Sequence, residues 1–335
     1  YKLYVSPNSG FSSYVSGYNG TTVSGTSQVV SSLTAGATYY YRLRAVNSFG
    51  ESGYSNTIST LTGPSVPAIS APTGITASGF TAHWGTSSGA TGYRLDVSTS
   101  SSFSSFVSGY NNRDMGTATS AAVTGLTGGT TYYYRVRAYN ATSPSGNSGT
   151  ESALLIPGAP VTIAATNVQQ NSFTANWNTT TGATGYRLDV SEDSGFGTFI
   201  SGFQDLDAGT ATSQSVTGLS AYTMYYYRVR AYNANGTGAN SNTTSVRTTG
   251  APGATTTQAV SGIQDKTATG NGTITDLGIP AATEHGVVWN TTGTPDVSTD
   301  PHTSQGTPGL GTFSSSMTGL LPGTTYHVRS YVTNS

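Results

Sequence analysis

The stretch YYYRVRAYN, residues 132–140, decides the fold of this chain. It returns unchanged at 225–233, as YYYRLRAVN at 39–47 and as YHVRSYVTN at 326–334. The first three copies lie 93 residues apart, and the fourth follows 101 residues later. A repeat of this length can bury its own core, whereas solenoid repeats of about 20 to 50 residues must stack to become stable. The sequence therefore predicts a tandem array of domain-sized units.

Side-chain polarity alternates along residues 131–140, which indicates a strand with one buried face. Tyr132, Tyr134, Val136 and Ala138 should face the core, because successive side chains of a strand point to opposite sides of its sheet. Similar runs occupy residues 79–84, 92–98, 105–110 and 120–126 of the same repeat. Short alternating runs between glycines and prolines, without a 3.6-residue pattern, favour an antiparallel sandwich.

These motifs together resemble the fibronectin type III family. They comprise a tryptophan on the second strand, Tyr-x-Leu on the third, and a Leu-x-x-Gly-Thr-x-Tyr turn beginning at Leu126 and again at Leu320. The resemblance implies an all-β chain, a tandem array of fibronectin type III-like (immunoglobulin-like) antiparallel β-sandwiches. It also implies a structural tyrosine corner, whose hydroxyl bonds to nearby backbone, at Tyr39, Tyr132, Tyr225 and Tyr326.

Four units follow from these landmarks. We expect a partial fibronectin type III-like domain at 1–62 without its first two strands, whole domains at 63–157 and 158–249, and a divergent domain at 250–335 without its last strand. Prolines in the short linkers at 62–72, 156–160 and 249–253 restrict the backbone, which predicts a semi-rigid array. The incomplete end units have two interpretations: the sequence is a window from a longer chain, or chains complete one another by strand exchange.

The composition argues against several functions. Charged residues make up 8% of the chain and the net charge is -1, so no basic surface is available to hold nucleic acid. No apolar run approaches the roughly 20 residues that span a bilayer, so we expect no membrane insertion of this segment. Cysteine is absent and lysine occurs only twice, a balance typical of bacterial secreted and surface proteins. We expect an extracellular or cell-surface location.

The chain is not predicted to be an enzyme. Its four histidines are scattered, and none has the spacing of a metal-ligand pair. Residues 85–89 match the Gly-x-Ser-x-Gly pattern of serine hydrolases, but they lead into a strand, whereas a nucleophile elbow leads into a helix. We therefore expect no catalytic residue, no metal and no cofactor.

The outward side of the tyrosine-rich strands is a candidate interaction face. Tyrosine and arginine are favoured interface residues, and exposed rings can stack on sugars. In the alternative interpretation, these side chains cover a solvated sheet, and the arginines pair with Asp96 and Asp189. The row consists of Tyr40, Arg42, Arg44, Tyr133, Arg135, Arg137, Tyr139, Tyr226, Arg228, Arg230 and Tyr232.

Two functions lead, and a phage tail fibre is a third alternative. The favoured one is a non-catalytic extracellular structural protein: a semi-rigid stalk, adhesin shaft, or fibre or filament subunit of the bacterial surface. Its partners would be copies of itself or neighbouring repeats, and glycans or host cell surfaces. The alternative is a set of spacer or carbohydrate-binding accessory modules in a secreted polysaccharide-degrading enzyme. Glycosylation would suit either role, and sequons occur at Asn19, Asn140, Asn178, Asn235, Asn242, Asn271 and Asn290.

Overall fold

A computed structural model describes residues 1–253 and 255–334, and these residues form antiparallel strands without any helix. The predicted all-β class is confirmed. The chain divides into two compact units. The first comprises Tyr1–Gly158, Thr180–Ala183 and Tyr232–Gly238, and the second comprises the rest. The division into four domains with the borders given above stays a prediction.

The amino-terminal part of the first unit has a single four-stranded sheet. Its strands are β1 (Lys2–Ser6), β2 (Asn19–Thr22), β3 (Thr38–Arg44), β4 (Val46–Asn47), β5 (Gly50–Glu51) and β6 (Ile58–Leu61). The sheet order is β2-β1-β3-β6, and β4 pairs with β5 in a separate hairpin. One face carries the buried side chains of Leu3, Val5 and Tyr39. This face lines an open groove of about 650 Å³.

Residues 69–154 of the first unit form a two-layered sandwich. Its strands are β7 (Ile69–Thr73), β8 (Gly79–Trp84), β9 (Gly92–Ser98), β10 (Arg113–Asp114), β11 (Ser120–Thr124), β12 (Thr131–Tyr139) and β13 (Glu151–Leu154). The sheet β11-β8-β7 packs on the sheet β10-β9-β12-β13. The predicted inner residues of β12 are buried, since Tyr134, Val136 and Ala138 are fully inaccessible to solvent.

One predicted strand of this sandwich is wrong. Residues 105–110 form turns, with the amide of Tyr110 donating to the carbonyl of Val107 at 2.9 Å. Gly109 has a φ of +79°, which is incompatible with extended backbone. The alternation arose because Tyr110 is buried and Val107 is half-buried, although neither belongs to a ladder.

The second unit contains most of a further sandwich of the same plan. The strands of this sandwich are β14 (Thr162–Thr166), β15 (Ser172–Trp177), β16 (Gly185–Ser191), β17 (Leu206–Gly209), β18 (Ser213–Thr217), β19 (Met224–Asn233), β20 (Gly236–Thr237) and β21 (Thr244–Arg247). They form the sheets β14-β15-β18 and β17-β16-β19-β20, and β21 also pairs with β19.

The carboxyl-terminal part of the second unit has two smaller sheets. Its strands are β22 (Thr255–Ser261), β23 (Thr267–Ile274), β24 (Glu284–Asn290), β25 (Gly311–Thr318) and β26 (His327–Thr333), in the orders β22-β23-β25 and β24-β26. Gly270 and Gly272 occupy buried positions on the inner face of β23. An added Cβ at Gly272 would lie 2.7 Å from atoms of Phe313 and Ser330, so the close approach of these neighbours requires glycine.

Buried tyrosine hydroxyls connect the two layers of each larger sandwich. The hydroxyl of Tyr134 on β12 donates to the carbonyl of Ser70 on β7, and Tyr227 on β19 donates to Ile163 on β14. Burial raises the pKa of Tyr134 to about 12, so its hydroxyl stays protonated and remains a donor even at alkaline pH where an exposed tyrosine ionises.

Another set of tyrosines binds the turn that precedes each tyrosine-rich strand. In every repeat, the hydroxyl accepts the backbone amide of the residue five positions earlier, at 2.9 to 3.0 Å. This contact fixes the turn against the strand that follows it. The four tyrosines are Tyr39, Tyr132, Tyr225 and Tyr326.

We predict that Tyr132→Phe destabilises the sandwich of residues 69–154 by about 1 to 2 kcal/mol, because the Thr127 amide loses its partner in a half-buried site. The measurement is native-state hydrogen exchange of the amides in β9. The matched control is Tyr133→Phe, the same change on the outer face, which should cost about 0.5 kcal/mol or less. Equal losses in the two variants would contradict this role of the hydroxyl.

Candidate functional site

The predicted row of tyrosines and arginines lies on the outer faces of β3, β12 and β19. All eleven side chains belong to residues of intermediate exposure. Strands β1, β9 and β16 run beside them in their respective sheets. The structure therefore places the row on the surface, but other side chains determine how much of it is accessible.

A buried carboxylate holds two arginines of the second repeat. Asp96 lies opposite Arg135 in the register of β9 and β12, and its side chain is only 2% exposed. One of its oxygens accepts from Nε of Arg135 at 3.0 Å and from Nη2 of Arg137 at 3.2 Å. The other oxygen accepts the amide of Asn112 at 2.6 Å. The pairing predicted for Asp96 is observed, but its outward position does not expose it to solvent.

The third repeat contains the same arrangement around Asp189. Its Oδ2 accepts from Nε of Arg228 at 3.0 Å, and Arg230 lies 3.5 Å away. The Asp205 amide donates to Oδ1 of Asp189 at 2.8 Å. The Asp205 carboxylate also pairs with Arg230 at 2.8 Å, which adds a second anion to the cluster.

A phenylalanine in the loop after β9, and another in the loop after β16, cover these ion pairs. The guanidinium carbon of Arg135 lies 4.1 Å from the ring centre of Phe103, and Arg228 lies 4.1 Å from that of Phe196. Both phenylalanines have a left-handed backbone, with φ of +55° and +58°, which is rare for a bulky residue and turns the loop back over the sheet. The outer face thus has a small covered cluster of its own, stabilised by cation–π contacts.

The first repeat replaces the carboxylate with aromatic rings. Tyr4 occupies the position of Asp96, and the guanidinium of Arg42 lies 3.9 Å from the ring centre of Phe11 and 3.6 Å from that of Tyr54. Arg44 lies 3.9 Å from the same Tyr54 ring and pairs with Glu51 at 3.0 Å. Rings therefore contact both arginines, and Tyr54 remains 42% exposed.

The tyrosine at the end of β12 bonds to a neighbouring turn. The hydroxyl of Tyr139 donates to Asp114 at 3.0 Å. The pKa of the Asp114 carboxyl is lowered by the Gly116 amide and by this hydroxyl, and the same bond raises the pKa of Tyr139. The Tyr139 side chain, at this end of the row, therefore forms its hydrogen bond within its own domain.

The covering phenylalanines were not predicted from the sequence. Their signal was available, because Phe11, Phe103 and Phe196 recur at spacings of 92 and 93 residues. They were missed because a loop residue takes no part in the alternation of polarity along a strand. Only the folded loop shows which strand it covers.

Other candidate chemistry finds no assembled site in the described part of the chain. Residues 1–253 and 255–334 contain no group of three histidine, aspartate or glutamate side chains that could hold a metal ion. No helix in this part has the length and apolarity needed to cross a membrane. Several sequon amides donate hydrogen bonds within the protein, namely those of Asn140, Asn235, Asn242, Asn271 and Asn290.

Comparison with known proteins gives one family and two similar curated proteins. The sequence model of the fibronectin type III domain matches residues 64–151 and 158–247, just over half of the chain. Chitinase A1 of Niallia circulans is 33% identical over 207 residues, which cover 56% of this chain and 26% of that protein. Exoglucanase B of Cellulomonas fimi is 32% identical over 243 residues, which cover 64% of this chain and 21% of that protein. The chain thus spans only about a quarter of the length of these relatives.

Among solved structures, the crystal structure of chicken CNTN1 FN1-FN3 domains superimposes with a TM-score of 0.31 and 18% sequence identity. The superposition covers 81% of this chain and 94% of that chain.

We predict that Asp96→Asn destabilises its sandwich by about 2 to 3 kcal/mol. The change leaves two partly buried guanidiniums without their shared anion, and their partial exposure reduces the loss expected for a fully buried pair. Asp114→Asn is the matched control, because Asp114 is exposed and an asparagine can still accept its two hydrogen bonds. Denaturation of both variants measures the difference, and an equal effect would show that the Asp96 charge contributes nothing.

Proposed function

We propose a function from one premise: the chain belongs to the fibronectin type III family. The chain is a non-catalytic accessory segment of a secreted bacterial enzyme that degrades an insoluble polysaccharide of the chitin or glucan type. It acts there as a spacer between the catalytic domain and the part that holds the substrate. The observation that carries this proposal is the 33% identity over 207 residues to a chitinase. The matched stretch makes up 26% of that chitinase.

The candidate interaction face favours spacing over binding in the second and third repeats. Asp96 and Asp189 already pair with the arginines, and Phe103 and Phe196 cover part of the row. A surface whose polar groups are satisfied by its own domain gains little from a ligand. An extracellular location agrees with the absence of cysteine and with the low charge of the chain.

A second candidate is a stalk or fibre subunit of the bacterial surface. One observation favours it: three nearly identical tyrosine-rich strands recur at an equal spacing of 93 residues. The length of such an array increases with each repeat, and lateral contacts between copies would assemble the chains into a fibre. In this case the partners would be copies of the same chain or a host surface.

The gene context distinguishes the two candidates. We predict that sequence flanking this segment encodes a domain with the paired carboxylates of a glycoside hydrolase. Deleting residues 1–335 from the complete enzyme should then lower the hydrolysis of insoluble polysaccharide and leave the hydrolysis of soluble oligosaccharides unchanged.

The control replaces residues 1–335 with a glycine-serine linker of equal length, which separates a need for distance from a need for folded sandwiches. Flanks that contain further repeats and a surface-sorting signal would refute the enzyme context. In that case, electron microscopy of ordered fibres would support the second candidate.

A further inference from the structure

The asparagine that ends each of three tyrosine-rich strands bonds to backbone far earlier in the chain. The side-chain amide of Asn140 donates to the carbonyl of Thr62 at 2.9 Å, and that of Asn233 to Leu155 at 2.8 Å. Asn334 donates to Gly250 at 3.3 Å. Each acceptor lies 78 to 84 residues before its asparagine, at or near the start of a predicted linker. These bonds therefore join the end of a strand to the segment that enters its own sandwich.

The same asparagine also shapes the turn that follows it. The side-chain oxygen of Asn140 accepts the amides of Thr142 and Ser143, and that of Asn233 accepts the amide of Asn235. Asn140 and Asn233 are 8% and 6% exposed. Both ends of a buried amide group are thus satisfied, one by its own turn and one by the preceding segment.

A backbone contact between two glycines lies beside the first of these bonds. Gly36, in the turn before β3, touches Gly89, in the turn before β9, and both have positive φ. A Cβ at either position would overlap the backbone of the other. Gly129 and Gly182 repeat this contact within the first unit. Glycine is needed at these places for its size as well as for its conformation.

The second unit has a different contact at the corresponding turn. Tyr222 stands where the earlier repeats have Gly36 and Gly129, three residues before the strand tyrosine. Its hydroxyl donates to Asp276 at 2.7 Å. Gly250 and Ile279 exchange backbone hydrogen bonds of 2.9 and 3.1 Å nearby. A departure from the glycine pattern in the sequence therefore coincides with a different contact at the same place.

We infer that the bonds of Asn140, Asn233 and Tyr222, together with the glycine–glycine contacts, form an end-to-end interface, by which one fibronectin type III sandwich of this chain recognises the end of another. In the first unit, the asparagine bond and the glycine–glycine contact hold residues 1–62 and 63–157 in one arrangement. The linker prolines restrict the backbone of residues 62–72, while the interface selects which of the remaining arrangements is populated. The inference does not depend on the enzyme context proposed above.

Distances between two spin labels test the interface, since the chain has no cysteine and labels can be placed at will. Ser16→Cys and Thr117→Cys provide two exposed positions in the first unit. Pulsed electron spin resonance on the whole labelled chain should give one narrow distance distribution. Adding Asn140→Ala or Gly89→Ala should broaden it, because each change removes or blocks one contact.

Each variant has a matched control. Asn47→Ala changes the equivalent asparagine of the first repeat, which is exposed and accepts the amide of Phe49 in its own turn. Gly125→Ala introduces an alanine at nearly the same φ as Gly89→Ala, +75° against +74°, but its Cβ would meet nothing within 4 Å. Both controls should keep the narrow distribution.

A broad distribution in the labelled parent would overturn the inference, as would a narrow one in both Asn140→Ala and Gly89→Ala. Near-ultraviolet circular dichroism of each variant verifies that its sandwiches remain folded. If Gly89→Ala does not fold, Asn140→Ala decides the outcome, because it removes one hydrogen bond across the interface and the two that the side-chain oxygen accepts from its own turn.

Discussion

A tyrosine hydroxyl inside a protein needs a hydrogen-bond partner, and this requirement organises the larger sandwiches. The hydroxyls of Tyr134 and Tyr227 find their partners on the opposite sheet, so the core that is formed by apolar burial is also connected by directed bonds. Those bonds fix how the two sheets lie against each other. Because the ring and its hydroxyl both have to be placed, the register of the tyrosine-rich strand cannot slip by a residue.

The tyrosine-rich strand serves three purposes through its three kinds of position. Its inner side chains fill the core, its outer arginines gather around Asp96 or Asp189, and its terminal asparagine reaches the preceding segment. The outer cluster is independent of the particular anion, since the first repeat places rings beside Arg42 and Arg44 instead. The identical sequence of this strand in the second and third repeats thus follows from several simultaneous constraints on one element.

Alternation of polarity predicted the fold class and the faces of β12, because burial on one side of a sheet leaves that pattern in the sequence. The same rule failed at residues 105–110, where a turn buries Tyr110 without a ladder. It missed β7, since Pro72 marks a linker in sequence but lies at an irregularity in the ladder with β8. It gave no sign of the Phe103 ring that covers the ion pairs of Asp96, because the path of a loop leaves no local pattern.

The acceptors of the asparagine bonds are a threonine, a leucine and a glycine, and in each case the accepting atom is the main-chain oxygen. Every amino acid has this atom, so the donor makes no demand on the identity of the residue it meets. A duplicated copy of such a module can follow any predecessor without compensating changes. Gene duplication and recombination could accordingly lengthen or shorten the array in single steps.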